Sequence, residues 1–193
     1  MVKIKVITGS SRPGRFNIQP ARWIADLAEQ RDEVEVELVD LAELNLPFMD
    51  EPMPPSMANG LYQHEHTIKW AKTIADADGF IFVTPEYNHS YSAILKNAID
   101  YLFFEWHYKP ASFVSYGSVA GGARSVEHLR GIAAEIKLYD IREQVLIPNL
   151  WGGLNDNGEY QFTDKQAEDA NALLDQLVFW AAKMKDARAE LQQ

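Results

Sequence analysis

The residues best suited to chemistry lie on a short loop in the middle of the chain. Residues 80 to 83 form a continuous apolar run, which predicts a strand buried on both faces. Pro85 should end this strand, because it lacks a backbone N–H and fixes φ. Glu86, Tyr87 and Asn88 then offer a carboxylate, a phenol and an amide at the carboxyl ends of the strands. Open α/β sheets bind their ligands at this edge.

A second polar loop follows the first predicted strand, residues 2 to 8. Residues 9 to 15, GSSRPGR, combine two serines, two arginines and two glycines. Glycines let the backbone approach an anion, hydroxyls and amides donate hydrogen bonds, and Arg12 supplies a fixed charge, so the loop suits a phosphate. The next helix should begin near Gln19 and point its amino end at this loop. A surface turn would have the same composition, and the Gly-Lys-Ser/Thr ending of a nucleotide P-loop is missing.

A third loop, residues 117 to 122, is rich in glycine. It joins a predicted strand at 111 to 116 to a helix predicted from 123 to 138. Because glycine leaves the backbone accessible, such a loop can lay its amides against a flat ring.

Several other kinds of chemistry are not expected. The chain has no cysteine, which excludes a thiol nucleophile and thiolate-held metals. No serine lies in a nucleophile-elbow context, so no catalytic triad is predicted. His64 and His66 could suggest a metal, but residues two apart on a helix point to different sides, and we predict no metal site. A net charge of −10 gives little support for binding nucleic acid or a membrane.

The size and composition fit a single globular domain spanning residues 1 to 193. With 47% hydrophobic residues, the chain can bury a substantial core. The first strand begins within two residues of the start, without a signal peptide, and no apolar run approaches 18 residues. We therefore expect a cytoplasmic protein.

Strands that alternate with helices predict the α/β architecture that brings the loops together. The expected fold is a three-layer sandwich with a five-stranded parallel sheet in the order 2-1-3-4-5. The last strand is predicted at residues 144 to 147. This order gathers the loops at 9 to 17, 85 to 91 and 117 to 122 at one edge. One loop suits a phosphate and two suit an extended polar ring, which is the shape of flavin mononucleotide, FMN.

Three motifs then resemble those of a known family. They are GSSRPGRFN at 9 to 17, TPEYNHSYSAILKNAIDYL at 84 to 102, and SYGSVAGGARSVEHLR at 115 to 130. The chain is similar in these motifs, and nearly throughout to about residue 180, to the NADPH-dependent FMN reductase family. The resemblance implies a flavodoxin-like fold with FMN as cofactor and NADPH or NADH as cosubstrate.

The resemblance also implies which residues bind FMN. Ser10, Arg12 and Asn17 would contact the phosphate, with Gln19 as an addition. Arg15 stands where many members have serine, so it either adds charge to the phosphate site or faces solvent or a cosubstrate phosphate. The residues implied around the ring are Pro85, Glu86, Tyr87, Asn88, Ser118 and Gly121.

The implied activity passes hydride from a reduced nicotinamide through FMN to a small acceptor such as a quinone. Use of one flavin face by donor and acceptor in turn predicts ping-pong kinetics. Glu86 could act as a general base, but we predict that it shapes the turn or positions the ring, so no catalytic acid or base is assigned. A flavodoxin-type electron carrier and a non-catalytic flavin-binding sensor remain alternatives.

The family resemblance implies a homodimer or homotetramer with a helix at 94 to 106 in the interface. Residues 103 to 109, FFEWHYK, carry four aromatic side chains, and aromatics are enriched at subunit interfaces. The alternative is that these side chains belong to the core of one subunit. In the first case they could form part of the partner's substrate pocket.

Overall fold

The computed structural model describes residues 1 to 191 and shows a parallel sheet between two layers of helices. The strands are β1 (Val2–Thr8), β2 (Val34–Asp40), β3 (Gly79–Pro85), β4 (Lys109–Tyr116), β5 (Leu138–Asp140) and β6 (Val145–Ile147). Their order is β2-β1-β3-β4-β5, with β6 also paired to β4, and every pairing is parallel. The predicted fold class and strand order are confirmed.

Helices cover both faces of the sheet. They are α1 (Ile18–Glu29), α2 (Leu41–Leu44), α3 (Pro55–Ala58), α4 (Glu65–Ala75), α5 (Ala93–Asp100), α6 (Ala123–Glu135) and α7 (Asp164–Leu191). The apolar sides of α1 and α7 pack on one face, and those of α4, α5 and α6 pack on the other. Both β3 and β4 are buried along their whole length, and this burial explains why β3 contains a continuous apolar run rather than an alternating pattern.

The fifth position of the sheet differs from the prediction. It holds two strands of three residues, and the first of them begins at Leu138, the last residue of the helix predicted from 123 to 138. The helix α6 ends earlier because Lys137 takes a left-handed conformation with φ of 52°. β5 then pairs with the start of β4 and β6 with its end. Residues 141 to 144 interrupt the edge strand between them.

The helix predicted at 94 to 106 is also shorter than expected. α5 ends at Asp100, and a 3-10 turn at Phe104–Trp106 follows. Trp106 is fully buried, and its Nε1 donates to the carbonyl of Ile99 at 3.2 Å. The chain must leave the helical path to bring this indole into the core, so Trp106 belongs to the interior of the chain, whereas Phe104 is exposed.

Other boundaries moved by one or two residues. β3 continues through Pro85, which pairs with Tyr116, and α1 begins at Ile18 rather than Gln19. A capping box starts α7: Gln166 donates its backbone N–H to Thr163 Oγ1 at 3.2 Å, and Thr163 N–H donates to Gln166 Oε1 at 2.9 Å. Across the described residues, each helix is too short or too polar to span a bilayer.

Candidate functional site

The loop after β1 is closed against the end of β3. Gly9 donates its N–H to the carbonyl of Val83 at 2.8 Å, and a Cβ on Gly9 would lie 3.0 Å from that same oxygen. Ser10 follows as a buried residue whose Oγ lies 3.0 Å from the Tyr87 hydroxyl. The structure thus brings together Ser10 of the first loop and Tyr87 of the second, as predicted from the gathering of loops at one edge.

Asn17 and Gln19 have different surroundings at the start of α1. Asn17 is buried and donates from Nδ2 to the Val83 carbonyl at 2.8 Å, which leaves its Oδ1 buried without a partner. Gln19 instead bridges to a distant loop, donating to the Gly158 carbonyl at 2.8 Å and accepting from Tyr160 N–H at 2.7 Å. Gln19 therefore fixes that loop rather than lining the cleft.

Arg15 forms an ion pair with Asp40, at the end of β2. The other oxygen of this carboxylate accepts a hydrogen bond from Thr8 Oγ1 at 2.9 Å. The guanidinium still borders the cleft, and its Nε is buried without a partner. The charge of Arg15 is therefore balanced by Asp40 at the border of the cleft, and its role at a phosphate stays a prediction.

The second loop makes a tight two-residue turn. Tyr87 and Ser90 exchange two backbone hydrogen bonds of 2.8 and 3.1 Å, and Asn88 and His89 between them have φ of 50° and 70°. Positive φ at both central residues defines a type I′ turn, a geometry that asparagine tolerates well. The turn projects from the carboxyl end of β3 at Pro85.

Glu86 supports the start of α6. Its Oε2 accepts the backbone N–H of Arg124 at 3.2 Å, and its Oε1 accepts from Arg124 Nε at 2.6 Å. An acidic group at a helix amino terminus is stabilising, because it meets unpaired N–H donors and the positive end of the helix dipole. The carboxylate is almost fully buried. This geometry favours the structural role that we predicted for Glu86.

The third loop depends on glycines. Gly122 has φ of 89°, and a Cβ there would lie 2.6 Å from Cβ of Ser115. Gly121 has φ of 59°, with its N–H donating to the carbonyl of Ser118 at 3.1 Å. That carbonyl also accepts the N–H of Asn149 at 2.8 Å, so Ser118 and Gly121 belong to a compact loop attached to the end of β6.

A cleft of about 210 Å³ lies where the three loops meet. Its walls are Ser10, Arg12, Arg15, Phe16, Glu86, Tyr87, Tyr116, Gly117, Ser118, Leu150 and Trp151. Ligand pockets usually measure about 300 to 1,000 Å³, so a mononucleotide would be only partly enclosed and would keep a side open to a second molecule. A larger depression, about 740 Å³, is lined mainly by charged residues such as Arg130 and Asp140, away from these loops.

Five of these wall residues were not among the predicted site residues: Phe16, Tyr116, Gly117, Leu150 and Trp151. Burial raises the pKa of Tyr116, and the nearby Tyr87 phenol adds to the rise, whereas Asn17, Ser10 and Arg12 oppose it. The phenol therefore stays protonated at neutral pH and can donate a hydrogen bond. Its position as the last residue of β4 was the signal that could have identified it.

The two histidines considered for metal binding are arranged differently from the prediction. His64 precedes the first turn of α4 in an extended conformation, and its ring stacks on that of His66 with centroids 5.2 Å apart. The expectation that they point apart was wrong, because only His66 lies on the helix. Their ring nitrogens contact Asp50, and no cluster of three or more ligating side chains suited to a metal occurs between residues 1 and 191.

Comparison with known proteins agrees with this arrangement. Residues 2 to 152 match the family described as NADPH-dependent FMN reductase. The chain belongs to this family. An NAD(P)H-dependent FMN reductase of Schizosaccharomyces pombe is 45% identical over 131 residues, which span 67% of this chain and 66% of that relative, just under two thirds of its length. An NAD(P)H:quinone oxidoreductase of Solanum tuberosum is 34% identical, covering 74% of this chain and 73% of that relative.

A solved structure supports the fold of this FMN reductase family member. The flavoenzyme NAD(P)H:(acceptor) oxidoreductase FerB of Paracoccus denitrificans superposes with a TM-score of 0.67 at 23% identity, covering 95% of this chain and 99% of that one. The predicted family and the flavodoxin-like fold are confirmed. The predicted class of enzyme, an FMN-dependent NAD(P)H oxidoreductase, is that of the family.

A substitution of Glu86 separates its structural role from acid or base catalysis. Glu86→Gln removes the charge that pairs with Arg124 and weakens the cap on α6, so we expect the free energy of unfolding to fall by about 1 to 2 kcal/mol. The reductase turnover at saturating substrate should stay within about threefold of wild type at 25 °C, which corresponds to a change of less than about 1 kcal/mol in the activation free energy. Denaturant unfolding and steady-state assays between pH 6 and 9 measure both.

The control is Glu127→Gln, an exposed position on the same helix, which should change neither quantity. A loss of turnover of a hundredfold or more in Glu86→Gln, together with a missing limb of the pH profile, would assign Glu86 as a general base instead.

Proposed function

We propose that this chain binds FMN in the cleft between its three loops and uses it to pass electrons from a reduced nicotinamide to a small acceptor such as a quinone. One observation carries the proposal: the three loops meet in one cleft at the carboxyl edge of the sheet. The loop after β1 suits a phosphate, and the loops after β3 and β4 suit a flat ring. The quinone oxidoreductase among the relatives supports the choice of acceptor.

The chemistry of the wall residues fits FMN. Arg12, Arg15 and Ser10 supply positive charge and a hydroxyl for the phosphate end, and Arg15 Nε is a buried donor without a partner. Asn17 is not itself a wall residue, but its Oδ1 is a buried acceptor without a partner and would suit a hydroxyl of the ribityl chain. Unpaired buried polar atoms are costly, so a ligand that pairs them gains affinity. We assign Gln19 no direct contact, because both ends of its amide are used elsewhere.

The ring end of the site would be formed by two loops. Tyr87 and the turn at Asn88 rise from Pro85, while Glu86 stands behind them against α6, and Ser118 and Gly121 belong to the opposite loop. When bound, FMN supplies the ability to accept hydride and release electrons. The protein residues position it, and the protonated Tyr116 phenol offers a hydrogen-bond donor beside Ser10 and Asn17.

The choice between NADPH and NADH depends on which arginines are free. Arg15 is paired with Asp40 and Arg124 with Glu86, so neither charge is available to the 2′-phosphate of NADPH unless its ion pair opens.

Arg12 lines the cleft and forms no ion pair with a carboxylate among residues 1 to 191. We therefore propose that Arg12 is the principal charged contact of the FMN phosphate.

Reduction of bound FMN is the direct test of the proposed reaction. In an anaerobic absorbance titration of the reconstituted protein, NADPH or NADH should bleach the flavin band rapidly, and a quinone should restore it. The two donors are ranked by their bleaching rates. Steady-state data should give the parallel lines of a ping-pong mechanism. Bleaching by dithionite but by neither nicotinamide would exclude the reductase and leave an electron carrier or a flavin sensor.

The role of Arg12 is tested with two ligands. Arg12→Gln should weaken FMN binding about 10-fold to 100-fold, because a charge-assisted contact with phosphate contributes about 1.5 to 3 kcal/mol. Riboflavin, which lacks the phosphate, should bind within twofold of wild type. Flavin fluorescence titration measures both, and the exposed Arg22→Gln on α1 is the control. An equal loss for both ligands would mean that Arg12 does not act through the phosphate.

We also propose that the protein forms a homodimer or a homotetramer through the surface around α5. The segment before α4 exposes several large apolar side chains: Phe48, Met49, Met53, Met57 and Leu61. It is held to α5 by Asn97, which donates to the Pro47 carbonyl at 2.7 Å and accepts from Met49 N–H at 3.0 Å. Exposed apolar patches of this kind mark interaction sites.

Light scattering tests the assembly. The mass should be two or four times the 21.9 kDa of one chain. Phe48→Asp puts a charge on a side chain that is 84% exposed and should dissociate the assembly at micromolar concentration. Phe179→Asp, at a side chain 51% exposed on α7, should not. A wild-type monomer at these concentrations would contradict the proposal.

The domain organisation and location are further parts of this proposal. We propose one domain across residues 1 to 193, working in the cytoplasm. A single cooperative unfolding transition and recovery in the cytosolic fraction of cells are the expected observations.

A further inference from the structure

Trp151 is an exposed indole at the wall of the cleft. It follows the buried Leu150 on a 3-10 turn, Leu150–Gly153, and 66% of its surface is accessible. Tryptophan carries one of the largest apolar surfaces of any side chain, so its burial is strongly favourable. An indole left open beside a binding site can gain that burial when a ligand covers it.

The turn that carries Trp151 is fixed rather than loose. On one side, Asn149 donates its N–H to the Ser118 carbonyl at 2.8 Å, and Leu150 donates to Gly117 at 3.3 Å. Gly152 closes the turn through its N–H to the Asn149 carbonyl at 2.8 Å. These bonds join the turn to the third loop of the site, so the indole has a defined position at the cleft.

The other side of the turn is equally constrained. Gly153 packs so closely on the ring of Tyr160 that no Cβ could be accommodated between them. Gln161 donates its N–H to the Gly153 carbonyl at 2.8 Å, and Tyr160 is held in turn by Gln19. The hydrogen bonds of Gln19 therefore help to fix the position of the turn that carries Trp151.

The remaining walls give the indole its role. Tyr87 lines the same cleft from the second loop and is also partly exposed. Arg12 and Ser10 provide the polar groups of the cleft. A ligand in this cleft therefore meets charge and hydroxyls from one loop and aromatic side chains from two others. This combination suits a molecule that joins a phosphate to a flat ring system.

We propose that Trp151 is a cofactor-binding residue of this protein, whose indole packs on bound FMN and slows its release. The inference rests on the proposed function, because it takes FMN as the occupant of the cleft. Within that function it assigns a contact to the segment after β6, in addition to the three loops recognised from the sequence.

Binding and release of FMN by the full-length apoprotein test this assignment. Trp151→Ala should raise the Kd for FMN about tenfold, within the range found when an aromatic platform for a heterocycle is removed. Most of the change should be a faster dissociation rate, measured by stopped-flow flavin fluorescence. Trp151→Phe keeps an aromatic face and should stay within about threefold of wild type.

The control is Trp180→Ala, which removes an indole that is 41% exposed on α7 and does not line the cleft. It should leave FMN binding unchanged. Because surface substitutions alter stability little, all apoproteins should keep the wild-type circular dichroism spectrum. Should the Ala variant be misfolded, the dissociation rates of Trp151→Phe and a Trp151→Leu variant decide, with Leu expected to release FMN faster.

The outcomes are distinct. Unchanged FMN affinity and dissociation rate in folded Trp151 variants would overturn the inference and leave the proposed function intact. A wild-type protein that binds no FMN would overturn both. Equal weakening by Trp151→Ala and Trp180→Ala would assign the effect to the general loss of an aromatic side chain and would also overturn the inference.

Discussion

The parallel pairing of β1, β3 and β4 is the constraint on which the site depends. Each loop leaves its strand while still bonded to the neighbouring strand: Gly9 N–H to Val83, Glu86 N–H to Tyr116, and Gly117 N–H to Ile147. The spacing of the loops is therefore set by the backbone bonds of the sheet. The sheet already brings the three loops together, so the first few side chains beyond each strand need only be polar or aromatic to line a binding cleft. A cleft can therefore form from residues that are far apart in the chain.

Charges at the carboxyl edge of the sheet are balanced by ion pairs. Two of the three arginines near the cleft are neutralised by carboxylates of the same chain, Arg15 by Asp40 and Arg124 by Glu86. These pairs fix the end of β2 and the start of α6, and they limit the positive field that would otherwise attract any anion. A strongly acidic protein can then bind a phosphate through a local contact, because a charge at hydrogen-bond distance outweighs the screened field of remote carboxylates.

The sequence was sufficient for the fold and for the three loops, since apolar runs, prolines and glycines act locally. It was not sufficient where a distant contact decides the outcome. Trp106 ends α5 early because the core takes up its indole, and Arg15 turns to an aspartate 25 residues away in sequence. Gln19 sits next to the phosphate-type loop yet bonds to residues 158 and 160. Tyr116 ends β4 and Trp151 follows β6, and the neighbours of these strands become known only when the sheet is assembled, so spacing alone did not single these residues out.

The divided strand at the border of the sheet has a consequence for solubility. An exposed strand edge can recruit a strand from another molecule, and a long uninterrupted edge is the most effective template. Here that edge consists of two three-residue strands separated by residues 141 to 144, where the backbone departs to meet the side chain of Ser112. An incoming strand would find no register longer than three residues to follow. The same interruption that obscured the edge strand in the sequence therefore makes this border of the sheet a poor template for strand-to-strand pairing, whereas the opposite border, β2, is an uninterrupted strand of seven residues.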